Sequence, residues 1–262
     1  MGSAAMHIAR TGLDAQDTRM RVISNNLANV NTTAYKRDRA SFQTLAYQVV
    51  TAPGAASTAQ TQYATGTNLG TGVRIQGTSR IETQGSLQTT GNALDLALDG
   101  NGYFQIQMPD GTLGYTRAGN FSRSPEGLLI TSEGYQVMPG ITVPEGATSI
   151  TVGSDGTVSA TVAGQTEATQ LGQIQVATFP NSAGLQAKGD NYLTETSASG
   201  AASLGNPGEV GRGTIRQGML EGSNVNVVEE LVDMIETQRA YEVNSKMISA
   251  TDEMLKYVNQ NI

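Results

Sequence analysis

Apolar residues recur every seven positions at both ends of this chain, a period that commits those segments to long helices packed against other helices. In the last forty residues Val227, Met234, Tyr241, Ile248, Leu255 and Ile262 follow one another at intervals of seven without interruption. The companion positions are Leu231, Gln238, Ser245, Asp252 and Asn259, so half of the expected stripe is polar and the contact is not a simple leucine zipper. Asn226 and Glu229 have the spacing of a capping box, and Glu230 and Asp233 suit the positive end of a helix dipole. Glu242 with Lys246 and Asp252 with Lys256 add i,i+4 pairs in the favourable order.

The first segment carries the same period in Met6, Ala9, Leu13, Met20, Ile23, Leu27 and Val30, with Gln16 as its polar interruption. Asn25, Asn26, Asn29 and Asn31 crowd its end. Asn competes for backbone hydrogen bonds, so the helix is expected to stop between Asn29 and Thr33. Residues 1–45 hold six basic against three acidic side chains, and residues 221–262 hold eight acidic against three basic. Such opposed charge favours packing of N-terminal on C-terminal helices, within or between subunits. An isolated amphipathic helix is marginal in water, so the ends are expected to order on assembly.

Between the ends the period changes to two. Leu94, Leu96 and Leu98 alternate with Asp95, Ala97 and Asp99, which predicts a strand with one wet face before the turn Gly100-Asn101-Gly102. Further short strands are expected over 103–108, 113–117, 128–131, 150–152, 158–162 and 174–178, with Ser154-Asp155-Gly156 as a turn. Asp110, Glu126 and Asp155 each precede a glycine, which assigns them to turns rather than to acid–base chemistry. Residues 52–72 and 197–213, rich in small and polar residues, read as extended connections.

The supply of catalytic groups is thin. There is no cysteine and one histidine, His7, near a helix start where a solvated or interface role is expected. No carboxylate pair can be nominated for a carbohydrate-cleaving or peptidoglycan-cleaving site. No catalytic, cofactor-binding or metal-binding residue is expected, and the chain is read as no enzyme. A formal charge of -7 opposes nucleic-acid binding. No stretch reaches the length of a membrane span, and the first 20 residues lack the apolar run of a secretory signal, so neither membrane insertion nor signal-dependent secretion is expected.

Two longer motifs resemble known sequences. Thr11-Gly-Leu-Asp-Ala-Gln16, Met20, Ser24-Asn-Asn-Leu-Ala-Asn-Val-Asn-Thr-Thr33 and Tyr35-Lys-Arg37 form the first; the family usually has Gly at the position of Ala34. Glu221-Gly-Ser-Asn-Val-Asn226, Glu230-Leu-Val-Asp-Met-Ile235 and Gln238-Arg-Ala-Tyr-Glu-Val-Asn-Ser-Lys246 form the second. Tyr115-Thr-Arg117, Gly119-Asn-Phe121, Gly127 and Gly134-Tyr135 add a match in the middle. Together they resemble the rod and hook family of bacterial flagellar axial proteins. The chain length and the segment from Tyr47-Gln48 to Gly72-Val73 point to its distal rod branch rather than to hook or proximal rod members.

The resemblance implies an α+β fold, a β-rich central body flanked by long N- and C-terminal helices that pack together in a coiled-coil-like tubular assembly. It implies a terminal helical domain of residues 1–33 with 224–262, a connecting region of 34–92 with 186–223 that includes a rod-specific segment at 46–66, and an outer body of 93–185. The implied assembly is a helical tubular homo-oligomer in the periplasm-spanning rod of the flagellar basal body, acting as a rigid, torque-transmitting drive shaft. Its implied partners are proximal rod proteins, the hook protein, the surrounding L/P ring and the flagellar type III export apparatus. Subunit-interface residues are expected at Leu13, Met20, Ile23, Asn26, Leu27, Asn29, Val30, Val227, Leu231, Met234, Ile235, Tyr241, Ile248 and Leu255.

Overall fold

The structure is a computed structural model that describes residues 2–56, 61–163 and 167–260, with the side chains of residues 2, 3, 258 and 259 left aside. It is an α+β protein with one long helix at each end and a β-rich middle. Two compact units form, one from Met1–Ala28, Asp38–Ser79 and Asn226–Ile262, the other from Asn29–Arg37 and Arg80–Val225.

The first unit contains α1 (Gly2–Ala28) and α2 (Val227–Gln260). The cap read from Asn226 is present: its Oδ1 accepts the backbone N–H groups of Val228 at 3.1 Å and Glu229 at 3.5 Å. Lys256 and Asp252 pair at 2.7 Å. The C-terminal heptad member Ile262 and the side chain of Asn259 lie outside the described residues. Among the described residues no helix is long and apolar enough to cross a membrane.

The same unit holds strand pairs in what reads as an extended connection by composition. Gln48–Thr51 pairs antiparallel with Thr67–Leu69, and the Gly54 N–H donates to Tyr63 O at 2.9 Å. Residues 52–72 therefore fold back as a hairpin arm, with residues 57–60 outside the description. Backbone pairing across the arm satisfies groups that composition leaves unassigned. Asp38–Thr44 and Val73–Arg80 form a second two-stranded sheet.

The second unit is built on antiparallel pairings. Tyr103–Gln107 lies at its centre, bonded to Leu113–Thr116, Gln136–Val137 and Val176–Thr178. Ala147–Val152, Thr157–Val162 and Thr169–Gln173 make a separate three-stranded sheet. Phe104, Ile106, Leu96, Leu98, Ile174 and Val176 are among the residues that fill the main core. The expectation of a wet face at 94–99 fails. Ala97 is fully buried beside Leu96 and Leu98, and Asp95 is buried as an acceptor of the Thr90 hydroxyl and the Asn92 amide. Pairing of Leu96–Asp99 with Thr214–Gln217 places this strand in the interior. Residues 197–213 also contain a paired strand, Ser203–Gly205 against Val176–Thr178.

The turn carboxylates behave as their spacing predicts. Asp110 Oδ1 accepts the Thr112 hydroxyl and N–H, and Asp155 does the same for Thr157. Those bonds hold both carboxyls below the ordinary carboxylate value. A hydroxyl of Ser124 does so for Glu126.

Candidate functional site

Within the first unit α1 and α2 run antiparallel, since Asn26 meets Glu230 near one end and Gly12 meets Asn244 farther along. Polar and small residues form the join. Asn26 Nδ2 donates to both Glu230 oxygens at 3.2 Å and to Asp38 O at 2.9 Å, while Asn26 Oδ1 accepts the Asp38 N–H at 3.0 Å. A single amide thus ties the end of α1, the start of a strand and the first turn of α2. Asparagine suits the place because it presents donor and acceptor at once. Arg19 and Asp233 add an ion pair at 3.1 Å.

Two glycines permit close approach. A Cβ on Gly12 would stand 3.0 Å from Asn244 Nδ2, and one on Gly72 would meet Thr11 Oγ1. Gly72 also has φ of +116°, and the neighbouring Val73 N–H donates to Thr11 Oγ1 at 3.3 Å.

The covered stripe of α2 is displaced by one residue from the expected companion positions. Leu231, Gln238, Ser245 and Asp252 are exposed, whereas Glu230 and Thr237 are buried and Asn244 and Thr251 half-buried. A heptad accommodates both a three- and a four-residue step; within this chain the cover falls on the three-residue step and leaves Leu231 outward. Polarity is tolerated in the join because it is satisfied: Asn26 serves Glu230, and the Thr237 hydroxyl donates to Asp233 O at 2.6 Å. On α1, Ala9, Ala15, Ile23 and Asn26 are buried, while Leu13, Met20 and Leu27 are half-buried.

The remaining expected interface residues scatter. Asn29 and Val30 lie beyond the end of α1 and not on it. Met234, Ile248 and Leu255 are half-buried, and Val227, Leu231, Ile235 and Tyr241 are exposed. Val228, Leu231, Val232 and Ile235 have the i, i+3, i+4, i+7 spacing of one helix face, with exposures of 70%, 43%, 51% and 51%. Tyr47, Val49, Val50, Tyr63 and Leu69 are likewise exposed on the hairpin arm.

The second unit places other motif residues around a buried carboxylate, which sequence reasoning missed. Glu221 is paired with both Lys36 and Arg117, the latter at 2.8 Å. Its Oε1 also accepts the Gly85 N–H at 2.9 Å. Lys36 Nζ reaches Thr83 O, and Arg117 donates three further N–H groups to the carbonyls of Gly102, Leu98 and Gly100. Burial pushes the Glu221 carboxyl up, but Arg117 and Lys36 outweigh it and hold the group below the ordinary value. Burial also lowers Lys36, with Glu221 opposing that shift. The only advance signal was that all three residues lie inside the quoted motifs.

Asn224 completes the arrangement by accepting the Arg37 N–H at 2.7 Å and donating to Ile81 O and Thr83 O. Ala34, where glycine is usual, has φ of +57° and donates its N–H to Glu221 O at 2.8 Å. Among the described residues no group of His, Asp or Glu is arranged to hold a metal ion.

Three family profiles match along the chain. "Flagella basal body rod protein" covers residues 6–36, "Flagellar hook protein FlgE/F/G D1 domain" covers 97–160, and "Flagellar basal body rod FlgEFG protein C-terminal" covers 216–261. The chain is 47% identical over 256 residues to the flagellar basal-body rod protein FlgG of Buchnera aphidicola subsp. Acyrthosiphon pisum, spanning 98% of each chain. The chain belongs to the flagellar basal-body rod protein family. Caulobacter vibrioides supplies two rod-family relatives for comparison: its FlgG is 46% identical over 98% of each chain, its FlgF 34% over 93% of this chain and 92% of its own length. As a rod-family member this is a structural protein of the flagellar basal-body rod, and the Asn26, Glu230, Asn224 and Glu221 contacts lie within the matched segments.

Proposed function

We propose that the chain is the subunit of the distal rod, polymerising into a hollow, rigid shaft that transmits torque from motor to hook. The observation that carries this reading is the inversion on α2: the polar positions are covered while Val228, Leu231, Val232 and Ile235 remain exposed. Soluble monomers seldom expose a contiguous apolar face without a use for it. Fully burying one exposed side chain of this kind contributes about 1.5–3 kcal/mol, so covering the roughly half-exposed face of four adds about 3–6 kcal/mol per helix toward association.

In this reading the terminal helices of many copies pack in a coiled-coil-like tube around a channel. Residues 1–33 with 224–262 form the inner layer, 93–185 the outer body, and 34–92 with 186–223 the connection. Leu13, Met20 and Leu27 are offered at the flank of α1, alongside Tyr241, Ile248 and Leu255 of α2. The exposed hairpin residues Tyr47, Val49 and Val50 fall in the segment 46–66, to which the reading gives the stiffness of the shaft.

The higher identity to FlgG than to FlgF from one organism favours the FlgG branch of the family over the FlgF branch. Proximal rod proteins, the hook protein and the L/P ring are then its neighbours, the type III apparatus its export route, and catalysis no part of its role. Expression in a strain lacking its own distal rod protein tests the assignment. Restored motility is expected; rescue only of a strain lacking a proximal rod protein would overturn it.

A further inference from the structure

In the second unit Asn101 stands in the turn between Leu96–Asp99 and Tyr103–Gln107, and it is the one asparagine in the sequence that precedes a glycine. Its side-chain amide is exposed and makes no hydrogen bond among the described residues, and the Gly102 N–H makes none either. The fold requires that glycine. Gly102 has φ of +137°, and a Cβ there would run into Val176 Cγ1. A residue without a side chain leaves its nitrogen open to attack the carbonyl of the preceding side chain, so the packing that fixes Gly102 also makes Asn101 reactive. Every other asparagine is followed by a residue that carries a Cβ. Asp99, Asp110 and Asp155 also precede glycines, but Asp99 is paired with Arg216 at 3.1 Å, and the other two carboxylates accept Thr112 and Thr157. An ionised carboxylate resists nucleophilic attack, whereas a neutral amide admits it.

We propose that Asn101-Gly102 is a self-modification site at which the chain converts to isoaspartate and loosens the Arg117–Glu221 cluster. The Gly102 nitrogen bonds to Asn101 Cγ and the Cγ–Nδ2 bond breaks; Nδ2 leaves as ammonia, carrying off the Gly102 proton. Water then opens the five-membered imide. Cleavage at Cγ gives ordinary aspartate, and cleavage at the main-chain carbonyl leaves Gly102 joined through Cγ with a free α-carboxylate. One water is consumed, one ammonia is released, and nothing is oxidised or reduced. The flanking contacts give the product its effect. Gly100 O and Gly102 O accept Arg117 N–H groups at 2.9 and 3.1 Å, and Asn101 O accepts the Gly213 N–H at 2.8 Å. Isoaspartate inserts an extra methylene into the chain between the two carbonyls that hold Arg117 and turns the Asn101 carbonyl into a carboxylate. Arg117 in turn pairs with the buried Glu221, so the strain reaches that cluster. The new α-carboxylate is the group that methyltransferases specific for isoaspartyl residues esterify, which gives the site an enzyme partner by chemical class.

Ageing the purified full chain in mildly alkaline buffer and mapping its peptides by mass spectrometry tests the proposal. The Asn101 peptide is expected to gain the mass of an acid for an amide before any other asparagine peptide and to split into aspartate and isoaspartate forms. The isoaspartate form should accept methyl groups from S-adenosylmethionine in the presence of an isoaspartyl methyltransferase. An unchanged Asn101 peptide, or faster change at another asparagine, would overturn the site. Asn101→Gln removes the five-membered ring closure, and because Asn101 is exposed and needs no positive φ the variant keeps the fold. Aged wild type is expected to unfold at a lower denaturant concentration than aged Asn101→Gln; equal midpoints would overturn the link to Arg117. Fresh Asn101→Asp, which adds the charge without lengthening the chain, is expected to match fresh wild type. A midpoint as low as that of the aged protein would overturn the chain-length account.

Discussion

Asn26 and Glu230, 204 positions apart in the chain, meet with the amide nitrogen 3.2 Å from each carboxylate oxygen, both side chains buried. Each belongs to one of the two terminal motifs, so their contact gives a physical reason for both. Asn26→Ala removes the donor to Glu230 and both bonds to the Asp38 backbone. It is expected to lower stability of the helix pair by about 1–3 kcal/mol, the cost of stranding buried polar groups. Asn26→Asp should be worse, because it sets two carboxylates face to face. Hydrogen exchange at α1 and α2 amides, compared with those of the β body, would show whether the loss falls on this unit.

The Lys36–Glu221–Arg117 cluster predicts an ordered series. Glu221→Gln leaves two buried cations without their shared anion and should cost on the order of 3–5 kcal/mol, whereas Lys36→Met retains the Arg117–Glu221 pair and should cost less. Denaturant titration followed by tyrosine near-ultraviolet dichroism measures both, since the chain has no tryptophan. Equal losses would count against the cluster as drawn.

The same cluster sets a pH dependence. Glu221 is held below its ordinary value of 4.5, so its contribution is complete above that pH and is lost as pH falls through its lower folded-state value. Lys36 is lowered from 10.5, so its slope with pH has the same sign in a higher window: charging it in the folded state is unfavourable, and the cost is relieved as pH rises through its folded value toward 10.5. Stability of the β unit is therefore expected to fall off below about pH 4.5, and Glu221→Gln should flatten the Glu221 part of that decline. A variant as acid-sensitive as wild type would refute the attribution.

Ala34 sits at φ of +57°, where a Cβ is strained and glycine is not. Alanine-to-glycine changes usually destabilise, but here strain relief of about 1 kcal/mol opposes a chain-entropy cost of about 0.4–1 kcal/mol. Ala34→Gly should be neutral to slightly stabilising in thermal unfolding; a loss above about 1 kcal/mol would mean that the methyl group is needed for packing.

The helices, the Asn226 cap and the turn carboxylates were legible because each is a local pattern. The Asn226 cap and the Asp110 and Asp155 turns need only neighbours two or three residues away. The choice between Leu231 and Glu230 was not local. It depends on Asn26 arriving across the chain to satisfy a buried carboxylate, and periodicity alone prefers the leucine. The hairpin over 48–69 was illegible for a related reason, since its order comes from backbone pairing rather than from alternating side chains. Glu221, Lys36 and Arg117 lie 15 to 185 positions from the cluster partners that sequence alone does not supply.

The central claim is that the uncovered apolar face of α2 drives polymerisation, and electron microscopy of Leu231→Asp/Ile235→Asp tests it most directly. Both side chains are exposed, so the monomer should keep its fold by circular dichroism while the variant forms no filaments under conditions in which wild type does. Filaments indistinguishable from wild type would contradict the account.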